Sequence, residues 1–222
     1  MLDLYLLRHG ETALNERADT IGGQSNHVLL TDRGVLQARA LGERLAVEGL
    51  AFDAVYVSPA ERTRHTAAIV CARLGIPAER IIFSERLYEL SQGDWEGKPR
   101  AQVYTPEAVK EIDSMNGQFC PPNGESQMMV EERMFEVVRE LLNRKGPVTA
   151  AMVGHGTAFK CLLRRIMGFP PTLTYKIALD NASITQVKHS ERGWHPIRMN
   201  DAAHVLPIGK MQDVYAPRKS GP

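Results

Sequence analysis

Short apolar segments alternate along the chain with longer segments in which apolar residues recur every three or four positions. The short segments are typical of buried strands, and the periodic ones of helices that bury one face. Four strands are predicted, at residues 2–7, 52–57, 81–83 and 148–153. Regular alternation of strands and helices predicts an α/β fold, specifically a three-layer fold with a mainly parallel sheet flanked by helices.

Capping residues set the predicted helix boundaries. Thr31 is the expected N-cap of a helix that reaches Gly49, and Ser58 with Pro59 is expected to cap and open the next helix, which ends at Gly75. Further helices are predicted at residues 106–112, 126–143 and 157–168, and a hairpin of edge strands at residues 181–188 and 194–199.

Two stretches carry little periodic signal. Residues 15–30 are polar and predict a long loop, a length that in compact domains usually marks a functional or disordered segment. Residues 98–125 are equally hard to interpret, so we expect substrate specificity to lie in these two stretches. The remaining pattern predicts one domain over residues 1–206 and a loosely held tail over residues 207–222.

Composition narrows the classes of protein. The 27 Lys and Arg against 26 Asp and Glu give a formal net charge of +1 over 222 residues, which argues against nucleic acid or a membrane surface as a partner. An odd number of cysteines without metal-ligand spacing predicts buried free thiols in a reducing cytoplasm. Charged residues near the N-terminus and the lack of a long apolar run predict a cytoplasmic protein without a signal peptide or membrane span.

Chemistry begins where the first strand ends, at Arg8, His9 and Gly10. The carboxyl ends of parallel strands share one edge of a sheet, where ligands bind. A guanidinium offers a rigid fork of donors to phosphate oxygens, and a neutral imidazole can attack phosphorus. The alternative is that Arg8 pairs with a surface carboxylate and that His9 is an ordinary core histidine.

Three more candidates follow other predicted strands. They are Arg62, Glu89 and His155. Taken singly, Arg62 could be a solvated surface arginine and Glu89 a carboxylate that caps backbone amides, a role that fits Glu96 better. Their convergence on one sheet edge favours phosphoryl transfer, with His9 as nucleophile and Glu89 as proton donor. The two arginines and His155 would be cationic hydrogen-bond donors to the phosphoryl oxygens.

These motifs resemble the signatures of the histidine phosphatase superfamily, in its phosphoglycerate mutase-like branch. The resemblance spans Leu4 to about Leu206. The matching blocks are Leu7-Arg8-His9-Gly10-Glu11-Thr12 with Asn15, Val57-Ser58-Pro59 with Arg62, Glu89 with Gly93, Trp95, Glu96 and Gly97, and Val153-Gly154-His155-Gly156.

The resemblance implies specific roles. His9 would be the phosphorylated nucleophile, Glu89 the proton donor, and Arg8, Arg62 and His155 the phosphate pocket. The substrate-binding residues would be Asn15, Gly22 and Gly156. It also implies a metal-independent enzyme of the histidine acid phosphatase type without a cofactor. Family members are often dimers, and no feature of this sequence decides whether this chain forms a homodimer.

The predicted function is hydrolysis of small phosphomonoesters through a phosphohistidine at His9. The nearest alternative is a cofactor-dependent phosphoglycerate mutase or a sugar bisphosphatase. Mutases carry an arginine and a tyrosine where this chain has Leu90, Ser91 and Gln92, and residues 98–119 lack the paired arginines of mutases. A non-catalytic module that binds a phosphorylated ligand is a further alternative, although such a module would be expected to have lost a catalytic residue. The sequence leaves the identity of the substrate open.

Overall fold

The computed structural model describes residues 1–17 and 19–208, which form one six-stranded sheet with helices on both faces. The strands are β1 (Leu2–Arg8), β2 (Ala54–Val57), β3 (Ile81–Phe83), β4 (Val148–Gly154), β5 (Ile184–Ser190) and β6 (Gly193–Asp201). The α-helices are α1 (Ala13–Glu16), α2 (Asp32–Val47), α3 (Glu61–Leu74), α4 (Arg100–Val103), α5 (Pro106–Ser114), α6 (Gln127–Leu142) and α7 (Gly156–Met167). The strands predicted at residues 2–7, 52–57, 81–83 and 148–153 are all present, each within two residues of its expected bounds.

The sheet order is β3-β2-β4-β1-β5-β6. Strands β1, β2, β3 and β4 are parallel to one another, whereas β5 pairs antiparallel with β1 and β6 pairs antiparallel with β5. The mainly parallel sheet is therefore confirmed. The predicted hairpin is present, but of its two strands only β6 is an edge strand, because β5 pairs with the central β1.

Two apolar cores fill the space between the sheet and its helices. Leu2, Leu4 and Leu6 pack with α6 and α7 on one face of the sheet. Tyr5 and Leu7 pack with α2 and α3 on the other face. Because successive side chains of a strand point to opposite faces, β1 supplies both cores, and its burial is nearly continuous. The three-layer arrangement is confirmed.

Helix capping agrees with the prediction at Thr31 and differs from it at Ser58. The side chains of Thr31 and Ser126 accept hydrogen bonds at the starts of α2 and α6, as expected of N-caps. The predicted cap at Ser58 is wrong, because α3 begins at Glu61 with Ala60 as N-cap. The Ser58 hydroxyl is instead hydrogen-bonded to His155.

The turn after β1 depends on two glycines that contact each other. A Cβ at Gly10 would collide with the carbonyl group of Gly34, and a Cβ at Gly34 would collide with the backbone of Glu11. Glycine at both positions lets the start of α2 approach the end of β1. The turn is thereby fixed directly beside the candidate nucleophile.

The predicted long loop has local structure. Its first two residues form the end of the one-turn helix α1, and isolated bridges join Thr12 to Leu30 and Thr20 to Pro99. The second bridge links the two stretches in which specificity was expected. The predicted tail starts inside a 3-10 helix, Ala203–Ile208, and its residues from 209 onward lie outside the described residues.

The three cysteines are free; Cys71 and Cys161 are buried as predicted, whereas Cys120 is exposed. Within residues 1–17 and 19–208, no helix combines the length and apolar character needed to cross a membrane.

Candidate active site

The pairing of β1 with β4 brings the two histidine motifs together. Arg8 pairs with Gly154 in the parallel register, and the His9 amide donates a 3.1 Å hydrogen bond to the Gly154 carbonyl. The rings of His9 and His155 then meet edge to face, with centroids 5.3 Å apart. The sheet thus brings together two histidines that are far apart in sequence.

His9 is held in the form that a nucleophile requires. Its Nδ1 lies 2.6 Å from the carbonyl oxygen of Gly10. A carbonyl can only accept, so Nδ1 carries the hydrogen and Nε2 keeps its lone pair. Burial first, then the cations Arg62 and Arg8, holds the pKa of His9 well below its usual value. The imidazole is therefore neutral at pH 7.

His155 differs from the predicted cationic donor. It is fully buried, and its Nδ1 accepts a 3.2 Å hydrogen bond from the Arg62 Nε. Its Nε2 lies 2.7 Å from the Ser58 Oγ, so the Nε2 hydrogen is donated to that hydroxyl. Burial, followed by the charge of Arg62, holds the pKa of His155 well below its usual value. His155 is thus a neutral residue that orients Arg62.

Arg62 is buried and bonded entirely through neutral acceptors. Besides its bond to His155, Nη1 and Nη2 each donate a 2.9 Å hydrogen bond, to the carbonyls of Ser25 and Gln24. Burial lowers its pKa to about 10, so it remains a cation at pH 7. Its side chain also lines the candidate pocket. A buried cation held by neutral groups favours an anion beside it.

Glu96 fixes the loop that holds Arg62. Its carboxylate accepts hydrogen bonds from the amides of Gln24 at 2.9 Å, Ser25 at 3.3 Å and Gln92 at 3.1 Å. Gly23, the residue before Gln24, has a φ of +53°, and a side chain at this position would collide with the Glu96 carboxylate. Glu96 therefore has the amide-capping role that the sequence favoured for it.

Glu89 also caps backbone amides, and it does so inside the pocket. One carboxylate oxygen, Oε1, accepts from the amides of Ala158 at 2.7 Å and Leu90 at 2.8 Å, and Oε2 accepts from Thr157 at 3.0 Å. These donors include the first turn of α7, which favours negative charge. The capping geometry is common to both glutamates, but only Glu89 lines the pocket.

Arg133 supports the segment that carries Glu89, and sequence reasoning missed it. Its Nη1 donates to the carbonyls of Arg86 at 2.7 Å and Tyr88 at 2.8 Å, and its Nη2 to that of Glu89 at 3.1 Å. A two-pronged contact with the carboxylate of Glu125 holds the guanidinium in place. On α6 this residue has no sequence signal beyond the charged side of an amphipathic helix.

Asn181 was also missed, and it connects two predicted residues. Its Nδ2 donates to the His9 carbonyl at 3.1 Å and to the Asn15 Oδ1 at 3.2 Å. The same oxygen of Asn15 accepts from the Thr12 amide at 3.0 Å. These bonds fix the orientation of the Asn15 amide group at the rim of the pocket.

The pocket at this edge of the sheet has a volume of about 170 Å³. Its walls include the predicted residues Arg8, His9, Asn15, Gly22, Arg62, Glu89 and Gly156; His155 lies behind Arg62. Residues that the sequence did not indicate also line it: Arg17, Thr20, Gln92, Arg100, Tyr104, Thr157, Lys160 and Tyr175. The described residues contain no group of three or more His, Cys, Asp or Glu side chains suited to a metal ion.

Gly156 has a steric role in the pocket. A Cβ at this position would lie 3.3 Å from the Nε of Arg8, a contact that would push the arginine aside. Glycine at the first position of α7 therefore lets Arg8 lie against the helix start.

A family model for the histidine phosphatase superfamily (branch 1) matches residues 4–202. The chain belongs to the histidine phosphatase superfamily. A curated relative from Yersinia pestis (strain Pestoides F), named "Probable phosphoglycerate mutase GpmB", is 31% identical over 212 residues, covering 92% of this chain and 95% of the relative.

Solved structures of superfamily proteins share the fold. Phosphoserine phosphatase from Entamoeba histolytica, in complex with 3-phosphoglyceric acid, has a TM-score of 0.77 and 25% identity, covering 93% of this chain and 100% of that one. A mycobacterial glucosyl-3-phosphoglycerate phosphatase has a TM-score of 0.76 and 26% identity, covering 89% and 98%. The chain is therefore similar to phosphatases and to a mutase.

The two buried imidazoles should make the stability of the fold depend on pH. In the unfolded chain His9 and His155 take up protons below an ordinary pKa of about 6.5, whereas their folded-state pKa values are lowered. Their contribution to stability is complete above that pH and is lost as the pH falls toward the folded-state values. The free energy of unfolding should fall by up to ~1.4 kcal/mol per pH unit for each histidine.

Urea denaturation between pH 7.5 and pH 5 measures this slope. His155→Gln should reduce it, and His27→Gln, a change at an exposed histidine, should leave it unchanged. Equal slopes in the wild type and His155→Gln would contradict a neutral buried His155.

The hydrogen bonds from the amides of Gln24, Ser25 and Gln92 to the Glu96 carboxylate are called the Glu96 clamp. Its loss should weaken phosphate binding, although Glu96 does not line the pocket. In Glu96→Gln an amide NH₂ replaces one acceptor oxygen, so the loop carbonyls that hold Arg62 lose their support. We expect vanadate to inhibit roughly tenfold less well, against about a hundredfold for Arg62→Ala. Asp94→Asn is the matched control, because its exposed carboxylate bonds to Asn123 instead of the loop. Equal vanadate inhibition of wild type and Glu96→Gln would refute the clamp.

Proposed function

We propose that this protein is a metal-independent phosphatase that hydrolyses small phosphomonoesters through a phosphohistidine at His9. One observation carries the proposal: the hydrogen bond to Gly10 leaves the Nε2 of a neutral His9 unprotonated, in a pocket lined by Arg8 and Arg62. A nucleophile with a free lone pair beside fixed cations suits attack on a phosphate dianion.

In the first half-reaction, Arg8 and Arg62 bind the phosphoryl oxygens. The His9 Nε2 attacks phosphorus, a nitrogen–phosphorus bond forms, and the bond from phosphorus to the ester oxygen breaks. The hydrogen on His9 Nδ1 stays hydrogen-bonded to the Gly10 carbonyl, whose dipole offsets the positive charge that the ring acquires. This step needs no metal, because the two guanidinium groups stabilise the negative charge on the phosphoryl oxygens.

Glu89 is proposed to supply the proton that the departing oxygen requires. Each carboxylate oxygen has two acceptor positions. Oε1 uses both, on Leu90 and Ala158, whereas Oε2 uses one, on Thr157. Oε2 therefore retains a position for the transferred proton, and we assign it as the reacting oxygen.

In the second half-reaction, water attacks phosphorus from the side that the alcohol has left. The Glu89 carboxylate takes a proton from the water, the nitrogen–phosphorus bond breaks, and inorganic phosphate leaves with neutral His9 restored. Proton donor and proton acceptor are then the same group in its two states, as reversal of the first step requires.

A mutase is the second candidate, and one observation favours it. Arg17, Arg100 and Lys160 line the pocket together with the catalytic residues, and they could hold a second anionic group, as on a phosphoglycerate or a sugar bisphosphate. Arg100 is the single arginine of residues 98–119, the stretch that lacks the paired arginines of mutases. The similarity to a relative named as a mutase supports the same candidate.

A non-catalytic phosphate-binding module is a weaker candidate. Such a module needs cations to bind phosphate, but it needs neither a nucleophile in its reactive tautomer nor a carboxylate beside the leaving oxygen.

We also propose that the enzyme acts in the cytoplasm on small phosphorylated molecules. Its free cysteines suit that reducing compartment.

Labelling distinguishes the phosphatase from its rivals. Wild type treated with ³²P-labelled substrate and quenched in alkali should carry an acid-labile label on His9, and His9→Ala should lack both label and turnover. A label on another residue, or activity that returns only with added divalent metal after chelation, would overturn the mechanism. Release of inorganic phosphate faster than interconversion of 2- and 3-phosphoglycerate would support hydrolysis, and the reverse would identify a mutase.

The importance of Glu89 should depend on the leaving group. An alkoxide needs a proton to depart, whereas nitrophenolate is stable as an anion. Glu89→Gln should therefore slow labelling of His9 about a hundredfold or more with a sugar phosphate and only mildly with p-nitrophenyl phosphate. Glu96→Gln is the control and should slow both substrates by a similar factor. Equal losses for the two substrates in Glu89→Gln would make Glu89 a positioning carboxylate.

A further inference from the structure

A second cleft opens directly beside the candidate active site. Its volume is about 370 Å³, and its lining comes from α4, α5 and Tyr175. Three residues, Arg100, Tyr104 and Tyr175, line both this cleft and the catalytic pocket. The two spaces are therefore neighbours that share a wall.

The shared wall is bonded to the segment that carries Glu89, since the Tyr104 hydroxyl donates a 3.2 Å hydrogen bond to the Gln92 Oε1. Glu89, the proposed proton donor, lines the catalytic pocket with Leu90, Gln92 and the shared residues Tyr104 and Tyr175. We therefore expect a group attached to the ester oxygen beside Glu89 to extend over this wall.

The chemistry of the cleft is mainly apolar. Ala101, Val109 and Ile112 contribute aliphatic surface, and the rings of Tyr104 and Tyr175 contribute aromatic surface. The guanidinium of Arg100 stacks over the Tyr104 ring at 5.2 Å, which places its charge against an aromatic face. Asp113 is the carboxylate in the lining.

The apolar side chains of the cleft remain open to solvent. Val109 is 40% exposed and Tyr175 is 38% exposed. Helix α5 contributes no buried residue, so the core does not account for the apolar residues that it places at the cleft. Apolar surface that adjoins a reaction site gains free energy when a substrate covers it.

We propose that the alcohol part of the substrate carries an apolar group, aliphatic or aromatic, that binds in this cleft. The inference deepens the proposed phosphatase function and rests on it for the position of the ester oxygen. The occupant is the substrate itself, because the cleft continues the catalytic pocket across the shared wall. Recognition then has two parts: phosphate on Arg8 and Arg62, and apolar contact with Tyr104, Val109 and their neighbours.

A series of n-alkylphosphonates, from methyl to octyl, tests the cleft without requiring turnover. These compounds keep the charged head group constant while apolar length increases. Isothermal titration with the wild-type protein should show affinity rising at least tenfold along the series, since a fully buried methylene contributes up to about fourfold. An affinity that does not change with chain length would overturn the inference.

Two matched variants locate the effect. Val109→Asn should weaken octylphosphonate binding about three- to tenfold and leave methylphosphonate binding within about twofold. Met115→Asn makes the same kind of change at an exposed apolar residue of 41% exposure outside the cleft, and it should have no effect. Equal losses in both variants, or a change in the oligomeric state of Val109→Asn alone, would assign the surface to another role and refute the proposal.

Turnover is measured on the same preparations, so that the two proposals can fail separately. If p-nitrophenyl phosphate labels His9 but the phosphonate series is flat, the phosphatase stands and the apolar substrate is refuted. If affinity rises with chain length but no label forms on His9, the cleft binds apolar groups and the phosphatase proposal fails.

Discussion

The buried guanidinium of Arg62 is the constraint on which the arrangement of the site depends. Because an arginine remains a cation, its hydrogen bond to His155 fixes that imidazole as an acceptor and directs its remaining hydrogen to Ser58. Its other donors require the loop carbonyls of Gln24 and Ser25, which in turn require the Glu96 carboxylate beneath them. The charge also helps to keep His9 neutral. One buried cation thus sets the tautomer of His155, helps to keep His9 neutral and is bound to the carbonyls of one loop.

Much of this arrangement could be predicted from the sequence, because it follows from local patterns. Strands and helices produce periodicities of two and about 3.6, and the parallel order of four strands places their ends at one edge. The candidates Arg8, His9, Arg62 and Glu89 were therefore expected together, and they line one pocket. The antiparallel β5 was mistaken for an edge strand because pairing partners are a property of the whole sheet.

The remaining parts depend on contacts between distant segments, for which a single sequence carries no signal. Asn181 precedes β5 and reaches His9, and Arg133 on α6 holds the segment of Glu89. The serine before Pro59 has the composition of a helix cap, yet its hydroxyl bonds to a histidine 97 residues away. Likewise, burial decides the charge of His155, and burial is known only when all the layers are assembled.

The fate of a phosphohistidine depends on what stands next to it once the alcohol has left. A mutase must keep its dephosphorylated product in place so that the phosphoryl group can return to it, whereas a phosphatase must let water in. Apolar contacts along a cleft that is open to solvent at Val109 and Tyr175 would hold a released alcohol without fixed directional bonds, so that water can replace it. Fixed ionic contacts from Arg17 or Lys160, which line the catalytic pocket but not the cleft, would act in the opposite direction by retaining an anionic product. The balance between hydrolysis and transfer therefore follows from which of these two walls the organic part of the substrate contacts.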